Sequence, residues 1–251
     1  MNDPTLSDID PTQVVAADLQ LPEPLDLEFE GWTPEVFAML QRLREHPHID
    51  QYQKEKPEVS TRLKEPFKRY RNDLVVNWVL PNRLNFETEK NVFSRLLKND
   101  FGAGGCKDNL WLSFYRPGRS RLTDAQISHR ISPDGMSVGL FVGGYMDEIL
   151  DRAKERIQAE PERYLGLINP LLQQEEWRFY YRCGTGESKR KYTVTEPLDA
   201  LPDELDQAKG IWIRRHIPRD RVLRWQSDLV RHALGAVFDV WPVYRFYLAG
   251  D

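Results

Sequence analysis

Apolar residues recur at helical spacing through the first hundred residues of the chain. The pair Thr33-Pro34 predicts a helix start, because threonine caps the first turn and proline suits the first helical position. Pro47 ends this helix. A second helical pattern covers residues 58–79, with a bend or interruption expected at Pro66, and a third covers residues 87–98. The N-terminal part of the chain is therefore predicted to be helical.

From residue 110 onward the pattern changes to alternation of apolar and polar residues, which is typical of half-buried strands. One such strand is predicted at residues 110–115. Residues 126–132 and 136–142 alternate likewise and are separated by Pro133-Asp134-Gly135, in which proline fixes φ and glycine tolerates a positive φ. These two segments predict a central antiparallel hairpin.

Helices and strands alternate in the rest of the chain. Helices are predicted at 146–159, 161–173, 199–208 and 219–238, the last ending near Trp241-Pro242, and strands at 177–182, 189–194 and 210–217. Hairpins combined with blocks of helices predict an α+β fold, a largely antiparallel sheet with a central hairpin, packed by N-terminal and C-terminal helices. We assign residues 28–251 to a single α+β domain, with a helical part at 33–100 and a sheet-containing part at 108–248.

Charge is unevenly distributed along the chain. The first 30 residues hold eight acidic residues and no Lys or Arg, so the net charge of -4 for the whole chain becomes +4 for the remaining 221 residues. Low hydrophobicity and like charge oppose packing, so residues 1–27 are predicted to form a disordered acidic leader. The alternative is that the leader folds back over a basic face of the domain and screens it.

The composition argues against several classes of protein. A chain of 251 residues with 40% hydrophobic and 29% charged residues is typical of a globular domain, and its longest apolar runs are far short of a membrane span. The first residues do not have the pattern of a signal peptide. Two cysteines, Cys106 and Cys183, are too few for a disulfide framework or a cysteine-based zinc site. We therefore predict a cytoplasmic protein with no membrane partner, no metal and no other cofactor.

Basic residues with phosphate-binding chemistry occur in two groups. In the first, Arg116, Arg119 and Arg121 surround a Pro-Gly pair, and guanidinium groups bind phosphate or carboxylate through paired hydrogen bonds. In the second, basic residues alternate with aromatic ones along predicted strands, as in platforms that bind single-stranded nucleic acids. An ordinary half-buried strand with its charges facing solvent gives the same pattern. The second group consists of Arg130, Arg178, Arg182, Lys189, Arg190 and Lys191, which Arg214 and Arg215 could extend.

Few residues suit catalysis. His129, next to Arg130 on the predicted hairpin, is the best candidate for general acid–base work, because histidine titrates near neutral pH. A structural histidine is the alternative. The run from Gly184 to Lys189 resembles a phosphate-binding loop but lacks the spacing G-x-x-x-x-G-K-[ST]. No serine nucleophile elbow, zinc-protease motif or dinucleotide-binding glycine pattern occurs. The sequence leaves open whether the protein is an enzyme.

Dispersed segments carry a resemblance to a known family. They are FEGWTPEVFAMLQRL at 29–43, YQKEKPEVSTRLKEPF at 52–67 and ISPDGMSVGLFVGG at 131–144, continued by KGIWIRRHIP and DVWPVYRFYL near the end. With these segments the chain resembles a bacterial family of conserved hypothetical proteins, domain of unknown function (DUF) 2461, over about residues 27–248. The resemblance implies the fold and a bacterial origin, and it implies no activity. The family usually carries an Arg-Phe-Ser and Lys-rich Pro-Tyr-Lys run before the hairpin, where this chain has only Phe93-Ser94-Arg95 and the loop at residues 116–121.

Three functions follow from these features. The first is binding of an anionic ligand, a nucleotide or nucleic acid, through a basic, aromatic-rich sheet face and the arginine loop. The second is a role as an interaction subunit of a larger bacterial assembly, with a protein partner docked on the acidic leader and the aromatic C-terminus. The third is an enzyme for a phosphorylated or carboxylated substrate that uses His129 with the loop arginines. Convergence of the predicted residues on one concave pocket would favour a ligand site.

Overall fold

The computed structural model describes residues 8–143 and 148–249. Its N-terminal helices are α1 (Pro34–Glu45), α2 (Ile49–Glu58) and α3 (Glu65–Leu74), with wide π-helical turns at Val59–Lys64 and Val75–Val79. The predicted helix start at Pro34 and its end before Pro47 are confirmed. The first π-helical turn ends at Lys64, and Pro66 follows in the first turn of α3, where its missing N–H interrupts the regular hydrogen-bond ladder. The second helical segment begins earlier than predicted, at Ile49.

Six strands form one antiparallel sheet. In chain order they are β1 (Leu110–Phe114), β2 (Gln126–Ser132), β3 (Gly135–Gly143), β4 (Trp177–Cys183), β5 (Arg190–Val194) and β6 (Ala208–Pro218). Their order across the sheet is β1-β2-β3-β6-β4-β5, so β6 lies between β3 and β4. The predicted hairpin is confirmed as β2–β3, with Ser132 opposite Gly135. The predicted α+β class is confirmed as well.

The remaining helices cover one face of this sheet. They are α4 (Glu148–Ala159), α5 (Pro161–Leu172), α6 (Arg219–Trp225) and α7 (Leu229–Leu248), and each of them contacts a strand. Residues 146 and 147 of the predicted fourth helix lie outside the described residues. The core between the helices and the sheet holds the fully buried side chains of Trp32, Trp78, Trp177 and Trp241. Within residues 8–143 and 148–249, no helix is long and apolar enough to cross a membrane.

Residues 8–27, predicted as part of a disordered leader, pack on the helices. Leu19, Leu21, Leu25 and Leu27 are partly buried against the core. Buried amide side chains fix the backbone of this segment, since Asn77 and Asn82 exchange hydrogen bonds with Asp26 and Gln20. The leucines and these hydrogen bonds outweigh the like charge that argued for disorder. These contacts are with the helical layer, so they do not support the alternative in which the leader screens a basic face.

The helix predicted at residues 87–98 is wrong. This segment is extended and forms isolated bridges beside β1, in which Glu87 pairs with Tyr115 and Phe93 with Leu112. The Ser94 N–H donates to the carbonyl of Trp111, and the Ser94 hydroxyl accepts from the Trp111 N–H. An uncovered edge strand leaves backbone groups unpaired. Pairing with β1 therefore decides the structure of a segment whose apolar spacing also fits a helix.

The C-terminal helix differs from its predicted bounds. The pattern at 219–238 is divided into α6 and α7 by a short 3-10 turn at Gln226–Asp228, where Gln226 has a φ of 50°. Helix α7 continues through Pro242 to Leu248. Val240, Tyr244 and Leu248 are buried on this last part, and their packing offsets the hydrogen bond lost at proline. The helix predicted at 199–208 is a single 3-10 segment, Asp203–Gln207.

Candidate anion-binding site

Alternation along β4 separates a buried face of the sheet from an open one. Trp177, Phe179 and Tyr181 are buried in the core, whereas Arg178, Tyr180 and Arg182 are half-buried on the other side. We call that other side the open face. It carries Trp111 of β1, Ser128 and Arg130 of β2, Ser137, Gly139 and Phe141 of β3, Arg178, Tyr180 and Arg182 of β4, Lys191 of β5, and Trp212, Arg214 and His216 of β6.

Strand register brings the basic residues of the open face together. Arg214 lies opposite Arg178 on one side and Gly139 on the other, and Arg182 lies opposite Lys191. A Cβ at Gly139 would collide with the carbonyl oxygen of Ile213 in the neighbouring strand. Small residues on β2 and β3 therefore leave space in front of the long side chains of β6 and β4.

Two adjoining concavities occupy this space. The first, which we call the basic pocket, has a volume of about 250 Å³ and is lined by Arg130, Tyr180, Arg182, Lys189, Lys191, Trp212, Arg214 and His216. The second, the aromatic pocket, has a volume of about 180 Å³ and is lined by Trp111, Leu122, Gln126, Ser128, Arg130, Phe141, Trp212 and Arg214. The two pockets share Arg130, Trp212 and Arg214, so a single ligand can reach both.

Within the part of the chain that the structure describes, no carboxylate lines the basic pocket, although Asp108 and Asp134 stabilise the charge of Arg130 from outside it. Among the described residues, neither Arg130 nor Arg214 forms an ion pair or donates a side-chain hydrogen bond, and the Nε of each is buried. Burial, reinforced by the positive charge of Arg130, lowers the pKa of Arg214 to about 9. Burial also lowers the pKa of Arg130 and, together with the charge of Arg214, that of Lys191. The pocket is therefore positively charged, and an anion placed in it would compensate that charge and accept hydrogen bonds.

A tyrosine and a histidine contact each other in the same pocket. The hydroxyl of Tyr180 and Nε2 of His216 are 2.7 Å apart and share a hydrogen bond. Burial is the main cause that lowers the pKa of His216 to about 4, and the charges of Arg214, Arg178 and Arg130 add to it. His216 is therefore neutral near pH 7, and this pair contributes polar atoms without adding charge.

Aromatic rings form the boundary between the two pockets. The rings of Phe141 and Trp212 stack with their centroids 4.6 Å apart and their planes at 23°. The guanidinium groups of Arg182 and Arg214 lie 5.7 and 5.9 Å from the Trp212 ring centroid, and Lys191 Nζ lies 4.5 Å from that of Tyr180. These cation–π contacts orient the basic side chains without neutralising them.

The predicted arginine loop contributes only one residue beside the site. Arg116 is buried in an ion pair with Asp124, with Nη2 and Oδ1 2.6 Å apart, so it is not available to a ligand. Arg119 is exposed on the loop and lines neither pocket. Arg121 lies 5.0 Å from the ring centroid of Trp111, at the rim of the aromatic pocket. The prediction that all three form one anion site is therefore wrong.

The basic strands were predicted more accurately. Arg130, Arg182, Lys189 and Lys191 line the basic pocket. Arg178 is on the open face but does not line either pocket, and it donates to the carbonyl oxygens of Glu175 and Trp177. Arg190 and Arg215 lie opposite Cys183 and Trp177 on the other face of the sheet. Arg215 is paired with Glu176 at 2.8 Å.

His129 lies in the core, on the face of β2 opposite to both pockets. Its side chain is 0% exposed, and Nδ1 is 2.9 Å from the Tyr70 hydroxyl. Burial lowers the pKa of His129 to about 3, so the imidazole is neutral at physiological pH. The structure contradicts its assignment as a catalytic acid or base and agrees with the structural alternative, because β2 directs residue 129 to one face and Arg130 to the other.

Several residues of the site, among them Trp212 and His216, were not predicted from the sequence, although one signal was present. They recur with period two on either side of Arg214, which was predicted as an extension of the second basic group, so the three had to share a face of the predicted strand at 210–217. Phe141 and Tyr180 could not be placed with them, because they belong to β3 and β4, whose separation by β6 is a property of the sheet order.

The site is defined by the fold and the charges on its open face. The protein is an α+β domain that places the five cations of the basic pocket beside stacked aromatic rings, which makes it a candidate anion-binding domain. Among the described residues, no cluster of three or more His, Cys, Asp or Glu side chains could hold a metal ion. The chain matches no protein-family model and none of the curated proteins. The resemblance to DUF 2461 therefore stays a prediction, and function is argued from the site alone.

Proposed function

We propose that this protein binds single-stranded nucleic acid on the open face of its sheet. The observation that carries this proposal is the junction of the basic and aromatic pockets at Arg130, Trp212 and Arg214. A strand of nucleic acid presents flat bases and anionic phosphates at regular intervals. Proteins without strong sequence preference bind it by stacking bases on aromatic rings and holding phosphates with cations.

The electrostatics of the open face support an anionic ligand. Arg130 and Arg214 line both pockets, and the charge of Arg130 adds to the burial that lowers the pKa of Arg214. A phosphate accepts hydrogen bonds from guanidinium groups in pairs and relieves the repulsion between the two cations. Relief of this repulsion contributes to affinity.

The dimensions of the open face favour a polymer over a single nucleotide. Cations and aromatic side chains extend from Trp111 on β1 to Lys191 on β5, across all six strands. Five steps between strands correspond to about 24 Å. Stacking on the aromatic pocket requires the flat face of a base, and in a duplex that face is covered by the neighbouring base pairs. A single strand therefore fits the open face better than a duplex does.

The alternative functions have less support. The enzyme hypothesis relied on His129, which is buried. The docking hypothesis relied on the leader and the aromatic C-terminus, but residues 8–27 pack against the protein's own helices, and Trp241, Tyr244 and Phe246 are buried. We further propose that the protein acts in the cytoplasm, since both cysteines are buried and unpaired, as expected in a reducing compartment.

Fluorescence anisotropy with a labelled single strand of about 15 nucleotides and its duplex tests the proposal. We expect tighter binding of the single strand, and an affinity that falls with salt at a slope of about -0.7 per neutralised phosphate. Trp212→Leu should weaken binding by about tenfold or more, because one stacked base contributes about 1–3 kcal/mol.

Trp225→Leu is the matched control for this variant. Trp225 stacks on His232 at a centroid distance of 3.6 Å and lies on α6, away from both pockets, so its loss should leave affinity unchanged. Equal weakening by the two variants would contradict the proposed face. An affinity that does not depend on salt would contradict nucleic-acid binding altogether.

A further inference from the structure

The basic and aromatic pockets differ in the kind of group they suit. Five cationic side chains line the basic pocket: Arg130, Arg182, Lys189, Lys191 and Arg214. The aromatic pocket shares two of these and adds Trp111, Phe141 and Leu122. A nucleotide inside a strand carries one negative charge per phosphate. The basic pocket is therefore more positive than one internal phosphodiester requires.

We propose that the basic pocket binds the terminal phosphate monoester of the nucleic-acid strand, an inference that rests on the proposed function. A phosphate monoester carries about -1.5 to -2 charges at pH 7 and has three acceptor oxygens. It matches a concavity lined by five cationic side chains and by no carboxylate of the described residues. The guanidinium groups of Arg130 and Arg214 can each offer two parallel N–H donors to such a group.

The position of the basic pocket favours binding of the end of a nucleic-acid strand. Lys189 precedes β5 and Lys191 lies within it, and β5 is the last strand in the order β1-β2-β3-β6-β4-β5. The turn before Lys189 is held by its own hydrogen bonds, since the Ser188 hydroxyl donates to the Thr185 carbonyl at 2.8 Å. The basic pocket thus extends to the β5 margin of the open face, whereas the aromatic pocket extends towards β1 at the opposite margin.

The contacts within the basic pocket agree with this assignment. Lys191 lies over the Tyr180 ring and Arg182 over the Trp212 ring, so both are oriented before a ligand arrives. Tyr180 and His216 add neutral polar atoms between the cations. With the terminal phosphate here, the adjoining base reaches the stacked rings of Phe141 and Trp212.

Three oligonucleotides of one sequence test this inference on the full chain by fluorescence anisotropy: a 5′-phosphorylated strand, a 3′-phosphorylated strand and a strand with hydroxyl groups at both ends, each with an internal label. We expect one of the phosphorylated strands to bind about tenfold more tightly than the hydroxyl strand, since additional hydrogen bonds to a charged group have this effect. The position of the preferred phosphate distinguishes the two ends.

Lys191→Gln and Arg190→Gln are matched variants for the same measurement. Both residues are exposed neighbours on β5 and both substitutions remove one positive charge, but only Lys191 lines the basic pocket. Lys191→Gln should reduce the preference for the terminal phosphate to about threefold or less, and Arg190→Gln should preserve it. Their exposure on an edge strand makes both variants compatible with folding.

The outcomes separate this inference from the proposed function. Equal affinity for all three oligonucleotides would overturn the terminal-phosphate assignment and leave single-strand binding intact. The same loss of preference in both variants would overturn the assignment of the basic pocket. No binding of any oligonucleotide would overturn both proposals.

Discussion

The two faces of strand β2 give adjacent residues opposite properties. His129 is sealed in the core, bonded to Tyr70, and its pKa of about 3 keeps it neutral. Arg130, the next residue, lies on the open face and forms no ion pair among the described residues, and Asp108 and Asp134 act on its charge only at longer range. A buried histidine is tolerated on the core face because it becomes neutral, whereas arginine keeps its charge near neutral pH. The open face thus retains an electrostatic cost that an anionic ligand would relieve.

Two arginines elsewhere in the molecule, Arg116 and Arg214, show a similar contrast between a paired and an unpaired charge. Arg116 and Asp124 form a buried ion pair eight residues apart in the chain, and this pair closes the arginine loop. Arg214 lies beside Arg130, Trp212 and Tyr180 and forms no ion pair among the described residues. An arginine with a buried acid contributes to structure, whereas Arg214 keeps its charge for the interaction that we propose.

The largest predicted effect separates the two faces of β4. Phe179→Ala should lower the free energy of unfolding by about 4 kcal/mol, because it removes a fully buried ring and leaves a cavity. Tyr180→Ala, at the next residue, should lower it by only about 1 kcal/mol and should weaken oligonucleotide binding. Urea denaturation and anisotropy measure the two quantities. Similar losses of stability in both variants would show that the open face is packed like the core.

A smaller effect on stability is expected on the buried face when pH is lowered, because His129 titrates. The pKa of His129 is about 3 in the folded protein and about 6.5 when unfolded, so the unfolded chain binds the proton first. The stability that depends on neutral His129 is fully present above pH 6.5 and is lost as pH falls towards 3. Between about pH 6.5 and pH 4.5 the protein should lose about 3 kcal/mol of stability, at about 1.4 kcal/mol per pKa unit.

The variant His129→Leu isolates this contribution. Its free energy of unfolding should depend much less on pH over this range, whatever its stability at pH 7. The pKa of His216 is lowered as well, so His216 also destabilises the fold as pH falls. His216→Gln is the control that removes only the contribution of the open face to the pH dependence. An unchanged pH dependence in His129→Leu would show that His129 is protonated inside the folded protein.

The smallest expected effect has the opposite sign. Arg214→Met should raise the free energy of unfolding by about 1 kcal/mol, because it replaces an uncompensated cation by an apolar side chain that still packs on Trp212. The same variant should weaken oligonucleotide binding by about tenfold or more. Thermal denaturation and anisotropy on one preparation test both parts. A destabilised Arg214→Met protein would mean that the guanidinium has a structural role.

Local patterns predicted most strands and several helices, and they failed where tertiary contacts compete with them. The alternation in β2, β3 and β4 was readable because a half-buried strand must alternate. Residues 87–98 fit a helix as well as a strand, and the unpaired edge of β1 decided between them. The leader was misjudged from its charge, because Asn77 and Asn82, which hold its backbone, lie more than 50 positions away.

The sequence by itself determined the α+β class, the central hairpin and the basic, aromatic alternation of the later strands. These features depend on local spacing and on turn residues, which act over a few positions. The tertiary structure alone decided that β6 lies between β3 and β4, and thereby that Phe141, Tyr180 and Arg214 meet on one face. It also decided which arginines have acidic partners and which remain unpaired. Both outcomes arise from pairing between distant segments, whose geometry the local pattern does not contain.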